Sequence, residues 1–452
     1  MNTKRFFLVA VSLSVSLCFM MANRVVNVAT SDELKTALTN IADGDDIVLT
    51  SADAVYIVQD DAANGGPSSQ TVFALGGKSI SITADVSLTV KPVVKGLSFT
   101  NITAIAGTSL SFKGIVFEAC KRNAAANGNY TDHFVDFGAS TATTYGDLIF
   151  EDCELRNYQQ TLFKMNNGSF TKATGGTLLI SGCVFANVNP QRASSVDAFI
   201  NIDRAIFANA TITNSTFYEI QGGIFRMGVN GNNTPSTVSI NNCTFYKFAG
   251  SGSKGSGSNY VFDFSNLNNA GSVTVANCIF ADAIATNSNA GCTHPLFRTA
   301  SSQTYSVTLT DNNNMYNCSG LATNVLGGSQ IKSISEATLS IDPEFENAEN
   351  GNFKLETANT AVQSMGDPRW RKSTPTNIQQ IFDGAKVSID GSIITIENSK
   401  PLSCVIYNAV GVQIAKTAQS QCSFSAKMPN SGIYIIVLSD GKETKRLKIR
   451  SL

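Results

Sequence analysis

Short runs of alternating apolar and polar residues recur along most of this chain at one spacing. Leu148-Ile149-Phe150-Glu151-Asp152-Cys153-Glu154-Leu155 shares its pattern with Leu178 to Phe185, Ala210 to Phe217, Val238 to Phe245 and Val273 to Phe280. A degraded copy runs from Leu110 to Phe117, another starts at Val307, and the period is 28 to 38 residues. A second run sits in each gap: Phe134 to Phe137, Leu162 to Met165, Phe199 to Ile202, Ile224 to Met227, Val261 to Phe264 and Leu296 to Thr299. Each run is too short for a helix, is rich in β-branched and aromatic residues and is bounded by Gly, Asn and Ser, which predicts strands. No single unit can bury its apolar face alone, so the units must stack. At roughly 4.8 Å per coil, each strand pairs with its equivalent in the next coil. The outcome is three parallel sheets around one apolar column.

A sharp corner between two such sheets needs a left-handed backbone, which Gly, Asn and Asp tolerate best. The predicted corner column is Gly114, Asp152, Gly182, Asn214, Asn242, Asn277 and Asn312. Stacked Asn side chains in it can hydrogen-bond along the ladder. At the start, Ser31 reads as an N-cap for a short helix whose Leu34, Leu38 and Ile41 share one face. Such a helix would close the open end of the column.

These features resemble the right-handed parallel β-helix proteins of the pectate-lyase-like superfamily, over roughly residues 24 to 370. The Asn ladder at Asn214, Asn242 and Asn277 is similar to the one that marks the turn between that superfamily's second and third sheets. The opening, Val26 to Leu49, and the stretch Ile341 to Trp370 resemble its start and its closing segment. The expected fold is all-β: a single-stranded right-handed parallel β-helix over 23–370 with an N-terminal capping helix, then a linker over 371–380 and a small β-sandwich over 381–452.

Ahead of the coil, Lys4 and Arg5 precede an apolar run from Phe6 to about Met21, with Ala22 as a cleavage position, so residues 1–22 read as an export signal. The alternative is a membrane anchor, for which the run is marginally long enough; the signal reading leaves no integral membrane span in the mature chain. After Trp370 come short alternating strands that include Lys386 to Ile389, Ile393 to Ile396, Val405 to Gly411, Gly432 to Leu438 and Lys445 to Ile449. This tail is similar to the C-terminal sorting domain of type IX secretion cargo, with Pro429, Gly432, Tyr434 and Lys445 among the matching residues. The resemblance implies the type IX secretion machinery as a partner. It also implies a secreted or outer-membrane cell-surface location in a Gram-negative, Bacteroidetes-type bacterium. The alternative is an ordinary accessory sandwich.

At 452 residues, 43% hydrophobic and 15% charged, the chain can bury a large core. A formal net charge of −1 leaves no basic excess for phosphates and argues against nucleic acid. Of the ten cysteines, Cys153, Cys183, Cys243 and Cys278 fall in one column of the repeat. Neighbours there stand roughly 4.8 Å apart, beyond the usual disulfide geometry, which predicts buried thiols. Cys404 and Cys422 are the better disulfide candidates.

Chemistry belongs on the outside of the coil. The superfamily resemblance places a groove on the sheet formed by the second set of runs. Alternation turns Asp136, Lys164, Asn201, Arg226, Asp263 and Arg298 outward there in one row, with His133 and His294 at the entry of two strands. A uronate lyase needs a base and cations that neutralise the carboxylate. Lys164, Arg226 and Arg298 are the candidate bases or clamps, and Asp136 and Asp263 the candidate Ca²⁺ ligands. Ca²⁺ takes six or more oxygens, however, and four coils separate these two carboxylates. Glu151, Asp152 and Glu154 are closer together but lie on another face. A solvated ladder of alternating charge accounts for the row better than a catalytic centre does. The functional expectation is a polysaccharide-directed protein that binds or cleaves acidic, uronate-bearing glycan as lyase, hydrolase or binder; the alternative is a non-catalytic adhesin or structural spike.

Overall fold

The computed structural model describes residues 23–51, 54–66, 72–100, 108–121, 133–136, 146–158, 161–164, 173–188, 198–202, 205–228, 236–250, 261–264, 272–283, 294–299, 306–309, 312–318, 321–322, 333–334, 339–371, 386–390, 392–409, 411–417, 421–429, 432–442 and 444–451. The export-signal segment 1–22, nearly all of the proposed linker and the Gly/Ser run from Ser251 to Ser258 lie outside them.

The repeat winds as the periodicity predicts. Among the described residues three all-parallel sheets form. Sheet A has eleven strands, from Val25–Val28 to Ser333–Ile334; sheet B has nine, from Val55–Ile57 to Asn314–Tyr316; sheet C has eight, from Phe73–Ala74 to Phe297–Thr299. Equivalent residues of successive coils are in register: Leu148, Leu178, Ala210, Val238 and Val273 align in sheet A, and Leu155, Phe185, Phe217, Phe245 and Phe280 in sheet B. Like therefore stacks on like. The rings of Phe185, Phe217, Phe245 and Phe280 lie 4.8, 5.0 and 4.8 Å apart and nearly parallel.

Between sheets A and B, Gly114, Asp152, Gly182, Asn214, Asn242 and Asn277 have φ of 51 to 71°. Asn242 Nδ2 donates to Asn214 Oδ1 at 3.2 Å, and Asn312 donates likewise to Asn277. A second left-handed column follows sheet B at Asn157, Asn187, Glu219, Lys247, Asp282 and Asn317, with φ of 47 to 67°. It went unread because Glu and Lys carry no turn signature.

One step beyond the first corner, inside the column, Cys153, Cys183, Ser215, Cys243, Cys278 and Asn313 are fully buried. The thiols are free and point at backbone carbonyls, Cys243 Sγ lying 3.2 Å from Asn241 O. The two polar members are satisfied as well: Ser215 Oγ donates to Thr213 O at 2.7 Å, and Asn313 Oδ1 accepts from the Cys278 amide at 2.9 Å. Burial pushes the Cys183 and Cys243 thiols well above their ordinary range.

Helix α1, Ser31–Thr39, closes the N-terminal end with Leu34, Ala37 and Leu38 buried in the core, and Ile41 joins them just beyond it. Its N-cap is Thr30, in a capping box with Glu33, rather than Ser31, whose hydroxyl instead accepts from the Ile57 amide at 2.8 Å. At this end Arg24 Nε donates to the buried Asp45 carboxylate at 2.8 Å.

After Leu339 bridges Asn314 in parallel, the chain turns back along the outer face of sheet B. This strap includes the hairpin Phe345–Asn347 with Asn352–Leu355. Gly366 N donates to Asn277 O, Asp367 N to Thr244 Oγ1, and Arg369 reaches the carbonyls of Asn214 and Cys183. The outward residues of sheet B change to suit it. Glu118, Glu154 and Arg156 form ion pairs in the early coils, whereas Thr216, Thr244, Tyr246 and Ile279 are buried beneath Phe353, Met365 and Trp370 in the later ones. No helix among the described residues is long and apolar enough to cross a membrane.

Residues 386–451 form antiparallel strands around a separate core that includes Ile394, Ile406, Tyr434, Ile436 and Leu438. The long strand Ile393–Asn408 serves two sheets. Its first half pairs with Lys386–Asp390 and Gln421–Lys427, and its second half with Gln413–Lys416 and Gly432–Ser439, to which Thr444–Ser451 adds. Cys404 is buried in this core and Cys422 is exposed; both are free thiols, so the expected pairing does not form.

Candidate functional site

The outward row of sheet C forms in full register: Asp136 pairs with Lys164, Lys164 with Asn201, Asn201 with Arg226, Arg226 with Asp263, and Asp263 with Arg298. The inward neighbours Val135, Phe163, Ile200, Phe225, Phe262 and Phe297 are buried and fix the phase of each strand. Lys164 Nζ donates to Asp136 Oδ2 at 3.2 Å, and Arg226 Nε lies 3.4 Å from Asp263 Oδ2. The two cations thus face inward along the row and the two anions stand outside them.

Asn201 lies between these pairs. It is completely buried, and among the described residues neither its Oδ1 nor its Nδ2 has a hydrogen-bond partner. Enclosing such an amide unpaired costs about 1–3 kcal/mol. Its flanking cations, two coils or roughly 10 Å apart, remain about one third exposed, at 33% for Lys164 and 30% for Arg226. Asp263 is also buried, at 6%. At these two positions the row is enclosed rather than solvated.

His133 is half-buried at the entry to the Asp136 strand. Its Nδ1 is 2.6 Å from Thr161 O, which fixes the proton on Nδ1 because a carbonyl can only accept. His294 does not join the row; its backbone pairs with Leu321 in a separate two-stranded sheet. The side chains of His294, Arg298 and Lys445 lie outside the described residues. The Ca²⁺ donor set does not assemble: Asp136 and Asp263 are four coils apart, each beside a cation, and no metal-ligating trio occurs among the described residues.

The other faces offer less. Sheet A presents Thr211, Ser239 and Thr274 in one outward line, uncharged. Sheet B is taken up by the strap in its later coils. The strap has its own buried acid, Asp367, which accepts from Thr216 Oγ1 at 2.7 Å and meets Arg369 Nε at 2.9 Å. Burial outweighs that guanidinium and holds the Asp367 carboxyl above its ordinary range. This acid is a clamp between strap and coil and faces no cleft.

Residues 238–370 match a family described as Domain of unknown function (DUF5123). The match takes in the last coils of the solenoid together with the whole strap, less than a third of the chain. No curated protein matches the chain.

In the C-terminal sandwich, Tyr434 is a core residue, 3% exposed, Gly432 opens the strand that carries it, and Pro429 is exposed just before that strand. Lys445 pairs with the buried Leu438. Of the four positions named from the tail resemblance, Tyr434 thus has a plain structural role in the core.

Proposed function

We propose that this chain is a secreted, cell-surface β-helix protein of the pectate-lyase-like kind that binds acidic polysaccharide on sheet C. The observation that carries the reading is the pair of cations Lys164 and Arg226, each about one third exposed and two coils apart on one row of sheet C. A uronate carboxylate offers acceptors to the part-exposed donors of Lys164 and Arg226, which stand on either side of the buried Asn201. Lys164 and Arg226 each stand beside a carboxylate, an arrangement that suits charge clamps better than bases that abstract a proton. Binding is therefore the reading, with cleavage as an outcome of the test. The tail acts in this reading as a type IX sorting domain, supported by its small independent core and by its match to the expected strand pattern.

The test is incubation of the purified chain with a panel of uronate-bearing and neutral polysaccharides, following retention and the absorbance of unsaturated product. Retention on acidic glycan only, lost in Lys164→Gln with Arg226→Gln, is expected. Product formation abolished by the same changes would make it a lyase. Absence of retention on every glycan would favour the second reading, a structural or adhesive spike, which is supported by the two ion pairs that already balance the row. For the tail, removal of residues 429–452 should keep the protein inside the cell envelope, and unaltered surface display would remove the sorting role.

A further inference from the structure

Charge is unevenly divided along this chain. Residues 381–452 hold nine Lys and Arg against five Asp and Glu, a net charge of +4, whereas the whole chain carries −1. The structure gathers part of this excess on one face of the sandwich. In the sheet made by Gln413–Lys416, the second half of Ile393–Asn408, Gly432–Ser439 and Thr444–Ser451, the core side is fixed by Cys404, Ile406, Tyr434, Ile436, Leu438, Leu447 and Ile449. Alternation leaves the other side to the residues between them.

That outer side is ordered across the strands. One line runs Lys416, Val405, Val437, Arg446, and the next runs Gln413, Tyr407, Ile435, Lys448. Arg450 follows opposite Ile433. The centre is thus apolar, Lys416 stands at one edge and Arg446 at the other, and no acid occurs in either line. Lys416 and Arg446 are exposed, and among the described residues neither makes an ion pair. At one end of the face Ile433 is 40% exposed and Val412, in the adjoining hairpin, is 56% exposed. Apolar residues left open on a small sandwich call for a ligand that offers apolar contact as well as negative charge.

We infer that this face docks on an anionic lipid surface, with Lys416 and Arg446 meeting headgroup phosphates and Val412, Tyr407 and Ile433 entering the interfacial layer. A flat apolar centre with cations at its rim is the complement of a bilayer interface, where a sheet of phosphate overlies glycerol and acyl carbon. A free polyanion would need cations in line and would gain nothing from the apolar centre. A docking surface of this kind is independent of the glycan reading, since it lies on a different part of the chain and uses no residue of sheet C.

The experiment is co-sedimentation of the full chain with phosphatidylcholine vesicles, with and without phosphatidylglycerol, at low and high salt. Binding is expected only with phosphatidylglycerol, weakening as salt rises. Each basic residue near an anionic surface contributes about 1 kcal/mol, so Lys416→Gln and Arg446→Gln should each lower the partition coefficient about fivefold. Ile433→Ser with Val412→Ser should weaken binding at every salt concentration. Lys113→Gln, on the coil, should leave it unchanged. All these positions are exposed, and circular dichroism would verify that the variants fold. Failure to bind phosphatidylglycerol vesicles at low salt, or binding that survives Lys416→Gln with Arg446→Gln, overturns the inference, as does equal loss in Lys113→Gln.

Discussion

Replacing Phe245 by Ala tests the stacked column most directly. The ring is fully buried, with Phe217 and Phe280 parallel to it at 5.0 and 4.8 Å and Phe262 edge-on at 5.9 Å. A buried aromatic side chain removes roughly 150–250 Å² from water, which at about 25 cal/mol per Å² is about 4–6 kcal/mol. Alanine keeps a minor part of that. The cavity term raises the loss again, because the neighbouring rings are held at strand spacing and cannot collapse into the gap, so the expected cost is about 3–5 kcal/mol. In a solenoid the loss is felt first by the altered coil and its neighbours. Urea unfolding should therefore show a lower midpoint, and hydrogen exchange should accelerate over coils 210–280 before 25–120. Thr274→Ala, on the outward face of sheet A, should change stability by less than about 0.5 kcal/mol. An unchanged midpoint for Phe245→Ala at unchanged slope would refute the inward, stacked assignment.

Three further outcomes are expected. Asp367→Ala leaves Thr216 and Arg369 without their carboxylate and should cost about 1–3 kcal/mol; proteolysis should then speed up within 344–371 while the early coils stay protected, and uniform protection would contradict the clamp. Glu219 holds a φ of 55° that a β-carbon disfavours, so Glu219→Asn should raise the melting temperature, by about 0.5–1 kcal/mol in stability, and a lower one would mean that its side chain is needed. The hydrogen bond from Arg24, with that from the Ala42 amide, holds the Asp45 carboxyl below its ordinary range. Its stabilisation is present above the ordinary carboxylate range and is lost as pH falls through the depressed value. The melting-temperature gap between wild type and Arg24→Gln should thus narrow as pH falls below about 4, and a constant gap would exclude that linkage.

The candidate row shows how far sequence carries a site. Strand alternation alone placed Asp136, Lys164, Asn201, Arg226, Asp263 and Arg298 on one line, and the register bears this out position by position. Their burial could not be read, because it depends on what lies above the face, and that is set by segments outside the repeat. Asn201 looked like the dullest member of the row and is completely buried. His294 lies at the entry of the Phe297–Thr299 strand, and its backbone pairing with Leu321 is set by a segment outside the repeat.

What the sequence by itself determined is the periodic part: the three-sheet coil, the buried Cys column, the Asn corner and the capping helix all follow from residue types recurring at one spacing, since identical local preferences are satisfied identically in every coil. What only the tertiary structure decided is where non-periodic chain meets that coil. The strap of 339–371 lies back across sheet B, and no local pattern announces it; its partners, from Cys183 to Asn314, stand up to 186 residues away. Left-handed φ at Glu219 and Lys247 is likewise imposed by the ladder on either side rather than preferred by the residues. Local chemistry repeats and is legible; long-range packing fixes the faces that remain open, and those faces are where function has to be sought.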